Sequence, residues 1–243
     1  MVFRSPVLNL ALTSDLPSTA NQVVFDFIRS GGPHPRIAWM PPFTEMGRER
    51  FPAAQELFGA YGFSDLEYCD IDEEPNEEQL AHLDQYDVIY LTGGDPIGFR
   101  RNILRAGLPG RLRQCLTAGR LIVAASGGSM QHTKNVSLFR LLTAALDEVF
   151  ANRSEYEALG VVDYEILPHL NRFEPAFLET VRRYSERVAH DVIGLADGAA
   201  VLHRSGDDYW CVGQATRFRS GVMTPIEAAA QQAAAADGRR GVS

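Results

Sequence analysis

Short, unbroken apolar runs alternate with longer amphipathic segments through the first half of the chain, and this rhythm restricts the possible folds most. The runs predict strands at residues 7–12, 37–40, 66–71, 88–92 and 121–125. A run such as 121–125 has no polar alternation, so both of its faces are expected to be covered. Regular alternation of such strands with helices predicts a doubly wound α/β fold, with a mostly parallel sheet and helices on both faces.

Helical spacing of apolar residues predicts what connects these strands. The expected helices lie near residues 20–28, after Ser18 and Thr19 as possible caps, and near 51–61, 75–83 and 98–118, the last broken at Pro109-Gly110. In the second half, 137–160 and 175–188 are predicted to be helical, and 161–167 is predicted to be a strand.

Short apolar runs separated by Gly-Asp turns predict a short antiparallel C-terminal extension. These runs are residues 192–195, 199–203, 209–212 and 215–222. Residues 1–227 are therefore expected to form a single α/β domain. Residues 228–243 are rich in alanine and end in Gly-Arg-Arg-Gly-Val-Ser, which favours a flexible tail.

Composition restricts the partners of the chain. Its 23 Lys and Arg residues against 31 Asp and Glu give a net charge of −8, which disfavours nucleic acid or an anionic membrane as partner. No segment approaches the ~18 apolar residues of a membrane span. The three cysteines, Cys69, Cys115 and Cys211, are odd in number and widely spaced, as expected for buried thiols in the reduced cytoplasm. No metal-ligand spacing occurs, and no cofactor is expected.

The most informative segment follows the predicted strand 121–125. Ser126 comes directly after it, with Ala124 two residues before and Gly128 two residues after. A nucleophile elbow needs small residues at these positions, because the backbone nearly crosses itself at the tight strand-to-helix turn. The serine hydroxyl would then project from the carboxyl edge of the sheet, beside main-chain N–H groups such as that of Gly127, which can stabilise an oxyanion.

Other interpretations of this segment stay open. Ser129 is a competing nucleophile, although it lies a helical turn beyond the strand. The glycines could also form a structural turn or an anion site, but the Lys of a phosphate loop and the GxGxxG of a dinucleotide loop are both absent. One strand earlier, Gly93 and Gly94 form a second turn at the same predicted edge. Gly94 could supply an oxyanion N–H there, and Asp95 either caps that turn or contacts substrate.

A serine nucleophile needs an adjacent base and an acid to orient that base. Among six histidines, His169 follows Pro168 at the end of the strand 161–167, where the carboxyl edge of the sheet is expected. Asp197 ends the next predicted strand and could hold the far ring nitrogen. Glu174 and Asp163 are rival acids.

Together these residues resemble the dipeptidase E and cyanophycinase family of serine peptidases, whose fold is similar to that of class I glutamine amidotransferases. The motifs that resemble the family are Thr92-Gly-Gly-Asp-Pro96, Ser126-Gly-Gly-Ser129, Leu167-Pro-His169 and Val192-Ile-Gly-Leu-Ala-Asp197, in order between about residues 5 and 215. The resemblance implies Ser126 as nucleophile, His169 as base and Asp197 where the family usually has Glu. It also implies a homodimer.

One departure from the family concerns the substrate. Aspartyl-specific members have a Gly-Glu-Thr-Arg-like stretch after the histidine, whose Arg pairs with the substrate carboxylate, whereas Phe173-Glu-Pro-Ala-Phe177 stands here. Arg172 could replace that Arg as an anion clamp, and Glu174 could bind a free α-amino group.

The sequence therefore predicts a serine exopeptidase or amidase acting on small peptides, without aspartyl dipeptidase specificity. Two alternatives stay open. One is a non-catalytic homologue that binds a small molecule or a partner. The other is an α/β-hydrolase esterase using Ser126, Asp163 and His203.

Overall fold

The computed structural model describes residues 8–16, 22–205 and 208–227. The proposed helix caps Ser18 and Thr19 and the tail 228–243 lie outside the described residues. The prediction of one domain over residues 1–227 stays a prediction.

Seven strands form the main sheet, in the order β3-β2-β4-β5-β1-β8-β9. They are β1 (Leu10–Thr13), β2 (Ile37–Met40), β3 (Leu66–Tyr68), β4 (Val88–Leu91), β5 (Leu121–Ala125), β8 (Ala200–Ser205) and β9 (Asp208–Val212). The first five are mutually parallel, and β8 and β9 add antiparallel strands beyond β1. The predicted mostly parallel α/β sheet is confirmed.

Both faces of this sheet are covered, as the unbroken apolar runs predicted. All five residues of β5 are buried. Ile122 and Ala124 belong to the hydrophobic core on one side of the sheet, and Leu121, Val123 and Ala125 belong to the core on the other. Successive side chains of a strand point to opposite faces, so a strand between two cores must be apolar throughout.

Eight α-helices lie between the strands within the described residues. They are α1 (Gln22–Arg29), α2 (Thr44–Ala60), α3 (Glu77–Ala81), α4 (Pro96–Arg105), α5 (Leu108–Thr117), α6 (Gly127–Met130), α7 (Leu146–Ala151) and α8 (Pro175–Ser185). The predicted break at Pro109-Gly110 was misplaced. The chain turns at Gly107, whose φ of 64° suits glycine, and Pro109 sits in the first turn of α5, where proline is tolerated. No helix within the described residues is both long and apolar enough to cross a membrane.

The prediction of one helix over 137–160 was wrong. The structure has a 3₁₀ segment at Ser137–Leu142, the short α7, and a second 3₁₀ segment at Arg153–Tyr156. The N–H of Val136 bonds the carbonyl of Tyr156, so the two ends of the segment meet. A continuous helix of that length would hold its ends roughly 35 Å apart.

A second sheet of four strands has the order β11-β10-β7-β6. Its strands are β6 (Tyr164–Leu167), β7 (Asp191–Leu195), β10 (Ala215–Arg219) and β11 (Val222–Ile226). β6 and β7 are parallel, while β10 pairs antiparallel with both β7 and β11. The predicted antiparallel extension is thus divided: β8 and β9 extend the main sheet, and β10 and β11 extend this second sheet.

Candidate active site

The carboxyl ends of β1, β4 and β5 meet at one edge of the main sheet. Thr13 on β1 is paired with Ala125 on β5, and β4 lies on the other side of β5. The residues that follow these strands are therefore neighbours: Ser14 after β1, Gly93 after β4 and Ser126 after β5. A Cβ built on Gly93 would lie 3.2 Å from the Cβ of Ser126.

Ser126 occupies a sharp turn between β5 and α6. Its φ of 50° and ψ of −118° are unusual for a residue with a side chain. The turn leaves no room beside it: a Cβ on Gly127 would collide with the carbonyl oxygen of Gly94, and one on Gly128 with that of Thr92. The small residues that the sequence shows around Ser126 are thus a steric requirement of this turn.

His169 reaches Ser126 from the second sheet. It follows β6 after Pro168 and has a φ of 60°, again a positive value. Its Nε2 lies 2.9 Å from the Oγ of Ser126. Its main-chain N–H donates to the Oγ of Ser14 at 2.8 Å, so a residue from the main sheet holds the turn that presents the imidazole.

Asp197 holds the other side of the imidazole. It follows β7, the parallel neighbour of β6, so the two loops leave the same edge of the second sheet. Oδ1 of Asp197 lies 2.7 Å from Nδ1 of His169. Oδ2 accepts hydrogen bonds from Nε of Arg172 at 2.7 Å and from Nδ2 of Asn171 at 3.2 Å. Both carboxylate oxygens are therefore engaged, which fixes the orientation of the group.

These neighbours keep Asp197 ionised. Partial burial raises the pKa of Asp197, but the hydrogen bonds from Arg172, His169 and Asn171 together outweigh that effect and lower the pKa to about 2. A carboxylate that is negative at neutral pH accepts from the Nδ1–H of the imidazole. That contact leaves Nε2 as the nitrogen able to accept a proton from Ser126.

The rival residues lie elsewhere or are otherwise engaged. Ser129 is fully buried, and its hydroxyl lies within hydrogen-bond distance of two main-chain carbonyl oxygens, so it faces no substrate. His203 is buried, with Nε2 2.7 Å from the hydroxyl of Tyr164. His203 pairs with Leu10, at the end of β1 remote from Ser126, and Asp163 forms an ion pair with Lys134. The esterase arrangement of Ser126, Asp163 and His203 is therefore not assembled.

The two glycine turns place main-chain groups beside Ser126. Gly94 and Gly127 touch through the carbonyl of Gly94, and both line the cavity at Ser126. The N–H of Gly127 begins α6, so it has no partner within that helix. Asp95 caps α4: its carboxylate accepts from the N–H groups of Ile97 and Gly98 at 2.9 and 3.1 Å. Of the two roles suggested for Asp95, the structure shows the cap.

The remaining predicted site residues lie at the rim. Arg172 is 57% exposed in its side chain and is paired with Asp197, a partner that the sequence did not predict. Glu174 is exposed at the N-terminal end of α8, makes no capping hydrogen bond, and is not the acid on His169. Within the described ranges, no group of three or more His, Cys, Asp or Glu side chains is arranged to hold a metal ion.

Sequence reasoning missed Ser14 and Asn171. Ser14 follows the first strand at the same sheet edge as Ser126, and that position was the available signal. The side-chain oxygen of Asn171 accepts a 2.7 Å hydrogen bond from the main-chain N–H of Asp197, and its Nδ2 donates to the Asp197 carboxylate. Only the observed loop geometry shows that pairing.

The α/β fold thus brings a serine, a histidine and an aspartate into one hydrogen-bonded chain. The model of peptidase family S51 matches residues 13–209. The chain belongs to peptidase family S51, and the resemblance to dipeptidase E and cyanophycinase is confirmed at this level.

Known proteins named as peptidases are similar to this chain in sequence. An uncharacterized peptidase of Listeria monocytogenes, Lmo0363, is 29% identical over 106 residues, which are 44% of this chain and 51% of that protein. The chain spans about half the length of the curated relatives it matches.

Two solved structures share the fold. The structure of a peptidase from an acI-B1 Actinobacterium superposes with a TM-score of 0.70 at 15% identity, covering 95% of this chain and 98% of that one. A Listeria monocytogenes EGD-e protein with the provisional name peptidase E gives a TM-score of 0.65 at 22% identity, covering 84% and 98%.

Proposed function

We propose that this protein is a serine exopeptidase that cleaves amide bonds of small peptides through an acyl-enzyme. The observation that supports it most directly is the continuous contact from Ser126 Oγ to His169 Nε2 and from His169 Nδ1 to Asp197, at 2.9 and 2.7 Å. These distances lie within the reach that a nucleophile and its base require.

In the proposed mechanism, the Oγ of Ser126 attacks the carbonyl carbon while Nε2 of His169 takes the hydroxyl proton. Asp197 holds the imidazole in place and stabilises the imidazolium that forms. The N–H groups of Gly94 and Gly127 hold the oxyanion. His169 then gives its proton to the leaving amine, and the C–N bond breaks. A water molecule, activated by the same imidazole, hydrolyses the ester and releases Ser126.

Two features support small peptides as the substrates. The cavity beside Ser126 is only about 130 Å³ in volume. Glu174 lies exposed at the rim, next to Phe173 of the cavity wall. We propose that its carboxylate binds the free α-amino group of the substrate. Arg172 is already paired with the carboxylate of Asp197 and so does not serve as a clamp for a substrate carboxylate. We therefore propose no aspartyl specificity.

Labelling with a fluorophosphonate tests the nucleophile. We expect the folded protein to be modified at Ser126 and a peptide library to be cleaved. Ser126→Ala abolishes both, while Ser129→Ala, which removes the other serine of this segment, preserves both. Failure of the folded protein to label, together with ligand binding without turnover, would favour the non-catalytic alternative.

The partners and the location follow from the sequence and stay predictions. We propose a homodimer in the cytoplasm, with neither a nucleic acid nor a membrane as partner. Light scattering after gel filtration measures the oligomeric state.

A further inference from the structure

The wall of the cavity beside Ser126 is apolar. Apart from Ser126 and His169, its lining contains no side chain with a polar group. The larger apolar side chains that line it are Met130, Leu138, Phe139, Leu142, Phe173 and Phe177. We call this space the apolar cavity.

Part of this apolar surface is open to solvent. Phe139 and Leu142, on the 3₁₀ segment Ser137–Leu142, are 36% and 46% exposed. Across the cavity, the rings of Phe173 and Phe177 stack with their centroids 4.4 Å apart. Large apolar side chains grouped at an open surface next to reactive groups are typical of a ligand site.

Apart from Ser126 and His169, which the proposed reaction uses, the cavity has no side chain that could pair with a charged substrate side chain. Arg172, the cation on the loop after His169, donates to Asp197 and is not part of the lining. A carboxylate placed among these walls would lose its hydration without gaining a partner, which is costly. An aliphatic or aromatic side chain gains by the same burial. The volume, about 130 Å³, is similar to that of the ~150 Å³ apolar cavity that holds benzene.

We propose that the apolar cavity selects substrates with a leucine-sized or phenyl-sized apolar side chain on a residue flanking the scissile bond. This inference rests on the proposed peptidase function and specifies its substrate class. The 3₁₀ segment with Phe139 and Leu142 and the loop with Phe173 form the two sides of this specificity site.

Dipeptides that differ only in Leu, Asn or Asp test the inference, because these side chains are nearly equal in size. One series places the varied residue before the scissile bond and another places it after. In one series, we expect kcat/KM for the Leu peptide to exceed kcat/KM for the Asp peptide at least 100-fold. In the same series it should exceed kcat/KM for the Asn peptide at least 10-fold. Equal rates, or a preference for Asp, in both series would overturn the inference.

Matched variants assign the effect to the cavity. Leu142→Ala should lower kcat/KM for the Leu peptide about 3- to 10-fold and lower kcat/KM for the Asn peptide by a smaller factor. Leu142→Arg should raise kcat/KM for the Asp peptide relative to kcat/KM for the Leu peptide. Leu104→Ala removes an equally exposed leucine, 48% exposed, on α4 outside the lining and should change neither. If Leu104→Ala and Leu142→Ala behave alike, the cavity does not select the substrate.

Binding to the Ser126→Ala variant separates this inference from the proposed function. Calorimetry with the same peptides should show tighter binding of Leu than of Asp, even though this variant has no nucleophile. If wild-type protein cleaves no peptide but this order holds, the peptidase proposal fails and the apolar site stands. If peptides are cleaved but Asp binds as tightly as Leu, the function stands and the apolar site fails.

Discussion

The main-chain N–H of His169 donates a 2.8 Å hydrogen bond to the Oγ of Ser14, which joins the loop of the proposed base to the first strand of the main sheet. The same oxygen lies 3.4 Å from Nδ1 of His169 and 3.5 Å from Oδ1 of Asp197. Ser14 is fully buried. Ser14 therefore stabilises the positive φ of His169. It also lies beside the contact between the imidazole of His169 and the carboxylate of Asp197 and helps to hold it in place.

We expect Ser14→Ala to lower kcat about 10-fold with little change in KM, because the imidazole loses its brace while the apolar cavity is untouched. The unpaired N–H of His169 should also cost about 1–3 kcal/mol of folding free energy. Steady-state kinetics and urea unfolding measure the two effects. Ser137→Ala removes another buried serine, bonded to Tyr184, and should lower stability without changing kcat. An equal loss of kcat in both variants would exclude a positioning role for Ser14.

We expect substitution of Asp197 to lower kcat much more than substitution of its partner Arg172. Asp197→Asn removes the charge that stabilises the imidazolium and should lower kcat by ~10²–10⁴-fold. Arg172→Gln should lower it less than ~10-fold at pH 7, because an exposed ion pair is worth little. Loss of Arg172 raises the pKa of Asp197 from about 2 toward its usual 3.8, where it is still ionised at neutral pH.

The two variants also differ at low pH. The depressed pKa of Asp197 contributes stability that is fully present above pH 3.8 and is lost as pH falls toward 2. Arg172→Gln should therefore weaken this dependence, measured by urea unfolding between pH 5 and pH 2. A kcat for Arg172→Gln as low as that of Asp197→Asn would show that Arg172 has a direct part in the reaction.

Gly127→Ala tests the proposed oxyanion site. Its Cβ would collide with the carbonyl of Gly94, so the two turns must move apart and their N–H groups lose alignment. We expect kcat to fall ~10²–10³-fold, the cost of a lost oxyanion donor, while KM changes less. Gly59→Ala is the control, since its added Cβ on α2 meets no atom within 4 Å. It should stabilise the helix by up to ~1 kcal/mol and leave kcat unchanged. Normal kcat in Gly127→Ala would remove this N–H from the mechanism.

The centre of the main sheet could be predicted from the sequence because β1, β2, β4 and β5 are buried on both faces and so show no polar alternation. The turns after β4 and β5 could be placed together for a related reason, since parallel neighbours end at the same edge. The elbow at Ser126 was visible because the crowded turn leaves room only for small residues.

Long-range contacts explain what sequence reasoning missed. The helical spacing over 137–160 was misleading because Val136 and Tyr156 are hydrogen-bonded to each other, which divides the segment into short pieces. The second sheet depends on β6 and β10 both pairing with β7, and local patterns contain no such information. Arg172 was assigned to substrate because its carboxylate partner, Asp197, lies 25 residues away in sequence.

The buried His132 predicts how stability depends on pH. It follows α6 and is fully buried, and burial lowers its pKa from 6.5 to about 4. Between these values the unfolded chain binds a proton that the native protein does not, so stability falls as pH decreases through that window. The full loss is roughly 3 kcal/mol, complete near pH 4. His132→Gln does not titrate, so between pH 7.5 and 4.5 the wild-type protein should lose about 2–3 kcal/mol more than this variant. Urea unfolding at both pH values measures the difference, and the constant cost of the substitution cancels in the comparison. Equal losses in the two proteins would show that His132 gains a proton in the folded state as readily as in the unfolded chain.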